Sequence, residues 1–207
     1  MRATVTAITG FLLFWVGITI AATQFDGYSP LKLPISVLAA YGSPAAVLGV
    51  SSILLLGASH YVAAVATWPG SRVAAVFVAI AATFMIGVGV VRGGCPEGPG
   101  VCARTNPQEV VDNNHLHGVM VNYYQLFMLA ATVTLLVVAL RAGRIGWAAA
   151  TAALLLGSLL LFGGLGFAEH PGLRQRLWLT DNLLVLVVSM LAVNRRSGAR
   201  ERQAAGV

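Results

Sequence analysis

A carboxylate inside an apolar run is the feature of this chain with the most chemistry to offer. Asp181 stands in the stretch Leu177-Trp178-Leu179-Thr180-Asp181-Asn182-Leu183-Leu184, and the apolar residues continue from there to Val193. Coiled as a helix, Asp181 to Val193 spans roughly 20 Å, so in a hydrocarbon core of roughly 30 Å the carboxylate lies about 10 Å inside. Aspartate is too short to snorkel far, and a bare charge at such depth costs about 2.5 to 3.5 kcal/mol. It needs a partner or water, and His115, Arg92 and Arg174 are the candidates.

The second polar cluster is His115-Leu116-His117-Gly118-Val119-Met120-Val121-Asn122-Tyr123-Tyr124-Gln125. At 100° per residue, His115, Gly118, Asn122 and Gln125 fall within about 80° of one another, which makes one helix face polar for three turns. His117 points nearly opposite. A histidine beside a carboxylate is an acid/base pair in principle, but no third member of a hydrolase triad stands at a recognisable spacing. A metal site is not expected. His60 lies about 25 Å below the end where His115, His117 and His170 gather, and metal to nitrogen bonds are only about 2 Å. His60 reads as a buried neutral side chain hydrogen-bonded to another helix, for instance to a serine.

Cys95 and Cys102 enclose Pro96-Glu97-Gly98-Pro99-Gly100-Val101 in the longest polar loop. The spacing fits neither a zinc knuckle nor a redox Cys-x-x-Cys pair. On an extracytoplasmic side such thiols oxidise, so a structural disulfide is expected.

These residues are carried by a chain of 207 residues that is 57% hydrophobic and 10% charged, against roughly 25% charged in a soluble domain. Too few charges remain to coat a water-soluble core, so the surrounding solvent is lipid. Six segments approach the roughly 20 apolar residues that a membrane helix needs, at 5–24, 43–67, 73–91, 118–140, 145–167 and 177–193. The first resembles a secretory leader, yet its apolar stretch from Val5 to Thr23 is long enough to span. The expected fold is one all-α transmembrane domain, a bundle of six membrane-spanning helices, with a basic tail over 194–207.

The net charge of +6 does not point to nucleic acid, because the arginines sit in short clusters between apolar runs, with no basic groove or interleaved aromatics. They read as topology. Arg2, Arg72, Arg141, Arg144, Arg195, Arg196, Arg200 and Arg202 share one side, whereas Lys32, Arg92, Arg104, Arg174 and Arg176 share the other with most of the acidic residues. The side richer in arginine is taken as cytoplasmic, which puts both termini there. Glycines on the third and fifth spans, such as Gly87, Gly89, Gly157 and Gly163, read as close helix packing.

Two readings of the polar cluster near the extracytoplasmic end stay open. In one, Asp181, Asn182, Asn122 and a histidine form an interhelical clamp. In the other, His115, Asn122, Gln125, Arg174, Asp181 and Asn182 line an outward-facing vestibule for a lipid or an apolar small molecule. A membrane enzyme acting on a lipid-linked substrate through His115 and Asp181 is the alternative from another class. A transporter would call for a midplane site on broken helices, where only His60 is ionisable.

Pro34-Ile35-Ser36 followed by Gly42-Ser43-Pro44, the polar loop before a histidine-bearing fourth span, and Gly172-Leu173-Arg174-Gln175-Arg176 entering the last span resemble the bacterial membrane family labelled domain of unknown function 998. The resemblance covers most of the chain and implies six helices and no assigned activity. Val37 stands where that family often has an acidic residue, and the cysteine-bearing insert differs from its short loop. The expected setting is the bacterial inner membrane, with membrane lipids as partners, no cofactor, no nucleic acid, and a homo-oligomer as one arrangement open to it.

Overall fold

The computed structural model describes residues 1–93, 107–164 and 167–204, and the side chains of 107–111 and 194–204 are outside that description. Seven α-helices follow one another: α1 (Arg2–Thr23), α2 (Ser36–Ala39), α3 (Ala46–Thr67), α4 (Arg72–Val90), α5 (Pro107–Arg141), α6 (Ile145–Phe162) and α7 (Pro171–Ala204). All but α2 are long and apolar enough to cross a membrane, and no strand occurs among the described residues. The physical cause is general: hydrocarbon offers no hydrogen-bond partners, so a spanning backbone must satisfy itself, and a helix does so within one segment.

The helices differ from the expected spans mainly at one end. α7 begins at Pro171 and α5 at Pro107, each well before the apolar run, whereas α6 stops at Phe162. Proline at a helix start loses no bond, because its missing N–H would have had no partner there. Asp181 is accordingly ten residues into α7 and close to the middle of the Pro171–Val193 span, deeper than the hydropathy pattern suggests.

Small residues bring the backbones together, as lipid-exposed bundles require. On α1, Gly10 meets Ser59 of α3 and Gly17 meets Ser52, so a side chain at either glycine would enter the α3 serines. The buried core runs along this seam and on through α4, α5 and α7, with Phe14, Leu56, Val78, Tyr124, Met128, Leu186 and Met190 all fully enclosed. α6 is peripheral and packs mainly against α5 and α7.

At one end of the bundle the segment between α1 and α3 folds over the helix ends as a cap. Gly49 lets α3 pass beneath α2, since a Cβ there would come within 2.6 Å of the Leu38 carbonyl. Gly172 does the same for α7, where a Cβ would come within 2.4 Å of the Leu33 oxygen. Two arginines hold the cap. Arg176 donates from Nη1 to the carbonyls of Pro30 (2.8 Å), Leu33 (3.2 Å) and Gly172 (3.0 Å), and from Nη2 to the Tyr28 hydroxyl (2.6 Å). Arg92 donates to the carbonyls of Ala39 (2.8 Å) and Ala40 (2.9 Å) and lies 4.4 Å from the centre of the Tyr41 ring. Arg92 is thereby engaged by the cap and does not partner Asp181.

Cys95 and Cys102 lie outside the described residues. The disulfide expected between them gains no support, and none occurs among the described residues.

Candidate functional site

Beneath the cap, α5, α6 and α7 converge on two layers one helical turn apart. The lower layer is polar. Gln125 of α5 donates through Nε2 to Ser158 Oγ of α6 (2.8 Å), and Ser158 donates to Asn182 Oδ1 of α7 (3.2 Å). Asn182 Nδ2 then donates back to Gln125 Oε1 (3.0 Å), closing a ring in which each member donates once and accepts once. The indole of Trp178 adds a second donor to Gln125 Oε1 (2.6 Å). All four residues are buried. A closed ring of aligned dipoles is mutually reinforcing in a low-dielectric interior. It also fixes the relative heights of three helices, because a shift of one by a residue would break two bonds.

The upper layer is a cavity. Val121, Phe162 and Trp178 each lie one helical turn, four residues, from Gln125, Ser158 and Asn182 on their own helices. They form its floor and walls, with Leu161 beside Phe162 and Pro34, Pro171, Arg174 and Gln175 around the rim, enclosing about 140 Å³. Gln175 is held by the Ile35 N–H, to which its Oε1 is the acceptor. Val121, Gln175 and Trp178 also line a second, narrow apolar gap of about 30 Å³ between Phe14, Ile53, Leu56 and Met85. The result is an amphipathic pocket, with a guanidinium and an amide at the mouth and apolar walls below.

Of the residues singled out by sequence, Gln125 and Asn182 are in the ring and Arg174 is in the cavity wall. His115 and Asn122 are exposed on α5 and touch neither layer. Asp181 is in the same layer as the ring but about 100° around α7 from Asn182, against Gly157 of α6, where a Cβ would come within 2.8 Å of Oδ1. Its Oδ2 is buried without a hydrogen-bond partner. Of the clamp expected from Asp181, Asn182, Asn122 and a histidine, Asn182 is in an interhelical polar ring, where it meets Gln125 and Ser158. An acid/base pair needs hydrogen-bond reach, and His115, ten residues before Gln125 near the start of α5, has no bond to Asp181.

The other histidines are engaged elsewhere. His60 Nδ1 donates to its own helix at Leu56 O (2.8 Å), which leaves Nε2 as an acceptor for the Tyr124 hydroxyl (3.2 Å). Its interhelical partner is thus a tyrosine and not a serine. His117 Nδ1 donates to Val91 O (2.8 Å), tying the start of α5 to the end of α4. Among the described residues no three His, Cys, Asp or Glu side chains come together as metal ligands would.

Ser158, Trp178 and Gln175 were not anticipated. Gln175 and Trp178 carried a readable signal, since with Pro171 and Asn182 they stand at spacings of four, three and four residues along one α7 face. Ser158 carried none, because a lone serine in an apolar helix ordinarily bonds its own preceding turn.

No curated protein and no solved structure matches the chain. The sequence model of the family described as "Protein of unknown function (DUF998)" matches residues 8–195, nearly the whole chain, and the protein belongs to that family.

Proposed function

We propose that this multi-pass membrane protein binds an amphiphile, a lipid or an apolar small molecule with a polar head, in the cavity between α5, α6 and α7. The observation that carries this reading is the polarity gradient of the cavity: Arg174 and Gln175 at the mouth, Val121, Leu161, Phe162 and Trp178 below. Binding sites of this kind are mostly apolar, with a few polar groups that orient the ligand. The distribution of arginines favours cytoplasmic termini and hence a mouth facing the outer leaflet of a bacterial inner membrane. The groove between α3 and α4 is larger, at about 490 Å³, but no charged side chain lines it and its two hydroxyls, Tyr61 and Thr83, bond each other, which suits bulk acyl chains rather than a selected ligand.

The test fills the cavity. Leu161→Trp adds bulk at the wall without removing a hydrogen bond, since Leu161 is only partly buried and outside the ring. Protein purified in mild detergent and extracted for mass spectrometry should release about one amphiphile per chain from the unaltered protein and several-fold less from Leu161→Trp, at equal thermal stability. Equal amounts from both would remove the cavity as the binding place.

A further inference from the structure

Three arginines cluster at the capped end of the bundle, and their surroundings divide them. Arg92 and Arg176 direct their guanidinium groups at backbone carbonyls of the cap. Arg174 makes no side-chain hydrogen bond or ion pair among the described residues, although it is partly buried in the cavity wall. Room for it is made by the α6–α7 turn. Gly164 has φ +82°, a left-handed conformation that glycine adopts without strain, and a Cβ there would come within 2.6 Å of Arg174 Nη1. The turn therefore has a backbone that favours glycine, and the end of the Arg174 side chain lies against it beside an apolar cavity.

A guanidinium left without protein acceptors at the mouth of an apolar cavity is free to pair with an anion there, and such a charge-assisted bond is stronger beside low-dielectric walls. Its planar fork matches the paired oxygens of a phosphate or carboxylate. We infer that the amphiphile taken by the cavity is anionic, an apolar chain bearing a phosphate-type head, with Arg174 as the residue that holds the head. Arg174 Nη1 and Nη2 face the head at the mouth, and the chain follows the walls past Phe162 and Trp178. This inference rests on the cavity being the binding place, and it adds the charge of the ligand.

Trp178 is the natural reporter, because it is buried in the cavity wall and out of reach of bulk lipid. In a background with Trp15→Phe, Trp68→Phe and Trp147→Phe, protein in phosphatidylcholine vesicles would be titrated with chain-brominated phosphatidylglycerol or chain-brominated phosphatidylcholine. Bromine quenches indole fluorescence only on close approach. The anionic lipid should quench at a mole fraction about tenfold lower than the zwitterionic one, because in phosphatidylcholine the choline ammonium offsets the phosphodiester charge that Arg174 pairs with. Arg174→Gln should abolish the difference and Arg174→Lys should keep most of it, with both variants melting as the parent does. Equal quenching by both lipids, unchanged in Arg174→Gln, would overturn the anionic assignment while leaving the cavity as a lipid site. Quenching by neither would overturn the cavity itself. Relief of quenching by inorganic phosphate alone would show that the anion site takes a free phosphate, which overturns the lipid head as its occupant. If the triple tryptophan background fails to fold, the same comparison can be read from the number of phosphatidylglycerol molecules retained per chain by the parent and Arg174→Gln.

Discussion

Replacing Gln125 by leucine should lower the stability of the detergent-solubilised protein by about 2 to 4 kcal/mol, the largest loss expected from any single polar change in the bundle. The substitution leaves the Trp178 indole N–H and the Asn182 amide without their common acceptor in a buried layer, and it removes the donor to Ser158. Each stranded buried group costs about 1 to 3 kcal/mol, although interhelical bonds in membranes often measure lower. Thermal unfolding in one detergent would check the loss. The triple change Gln125→Leu, Ser158→Ala, Asn182→Leu should recover part of it, because only the indole N–H then remains unpaired. A triple variant no more stable than Gln125→Leu would mean that the ring is not the unit that matters.

The second large effect is expected at Arg176, which joins three backbone carbonyls and a phenol across two segments distant in sequence. Arg176→Met should cost about 2 kcal/mol, less than the sum of its bonds because one of them is exposed and water substitutes there. The local consequence is larger than the global one. Amide exchange over 28–38 should quicken by more than tenfold while α3 and α4 stay protected, since the cap can open without the bundle. Arg176→Lys should recover only part of the protection, because one ammonium cannot span carbonyls that a guanidinium fork bridges. Protection unchanged in Arg176→Met would show that the remaining contacts, Gly172 packing, the Leu173 N–H to Leu31 O bond, the Ile35 N–H to Gln175 bond and Arg92, hold the cap without it.

How much of this was legible in the sequence follows from what lipid enforces. Six spans were readable because an apolar run of that length has no other way to satisfy its backbone. The start of α7 was misplaced because hydropathy drops at Arg174 and Arg176, yet neither charge interrupts the helix: one is satisfied by cap carbonyls, and the other projects into a cavity. Pro171 marked the true start all along. Gln125 and Asn182 were legible as costly polar residues that had to meet something. What they meet was not, because Ser158 looks like Thr132, Thr134 and Thr151, which bond their own helices. Asn122 illustrates the converse. It shares a helix face with His115, Gly118 and Gln125, yet His115 and Asn122 are exposed while Gln125 is buried, and helical angle alone does not say where along a face the bundle closes over it.

The most direct measurement of the central claim is the map of contacts made by a lipid inside the bilayer. The protein would be reconstituted with a phosphatidylglycerol carrying a photoreactive diazirine in its acyl chain, irradiated, digested and read by peptide mass spectrometry. Occupancy of the cavity predicts labelling concentrated on Val121, Leu161, Phe162 and Trp178, well above that on Leu12, Leu13 and Val16, which face the bilayer from α1. Labelling spread evenly over the exposed faces of α1, α4 and α6, with none on the buried Trp178, would contradict the account.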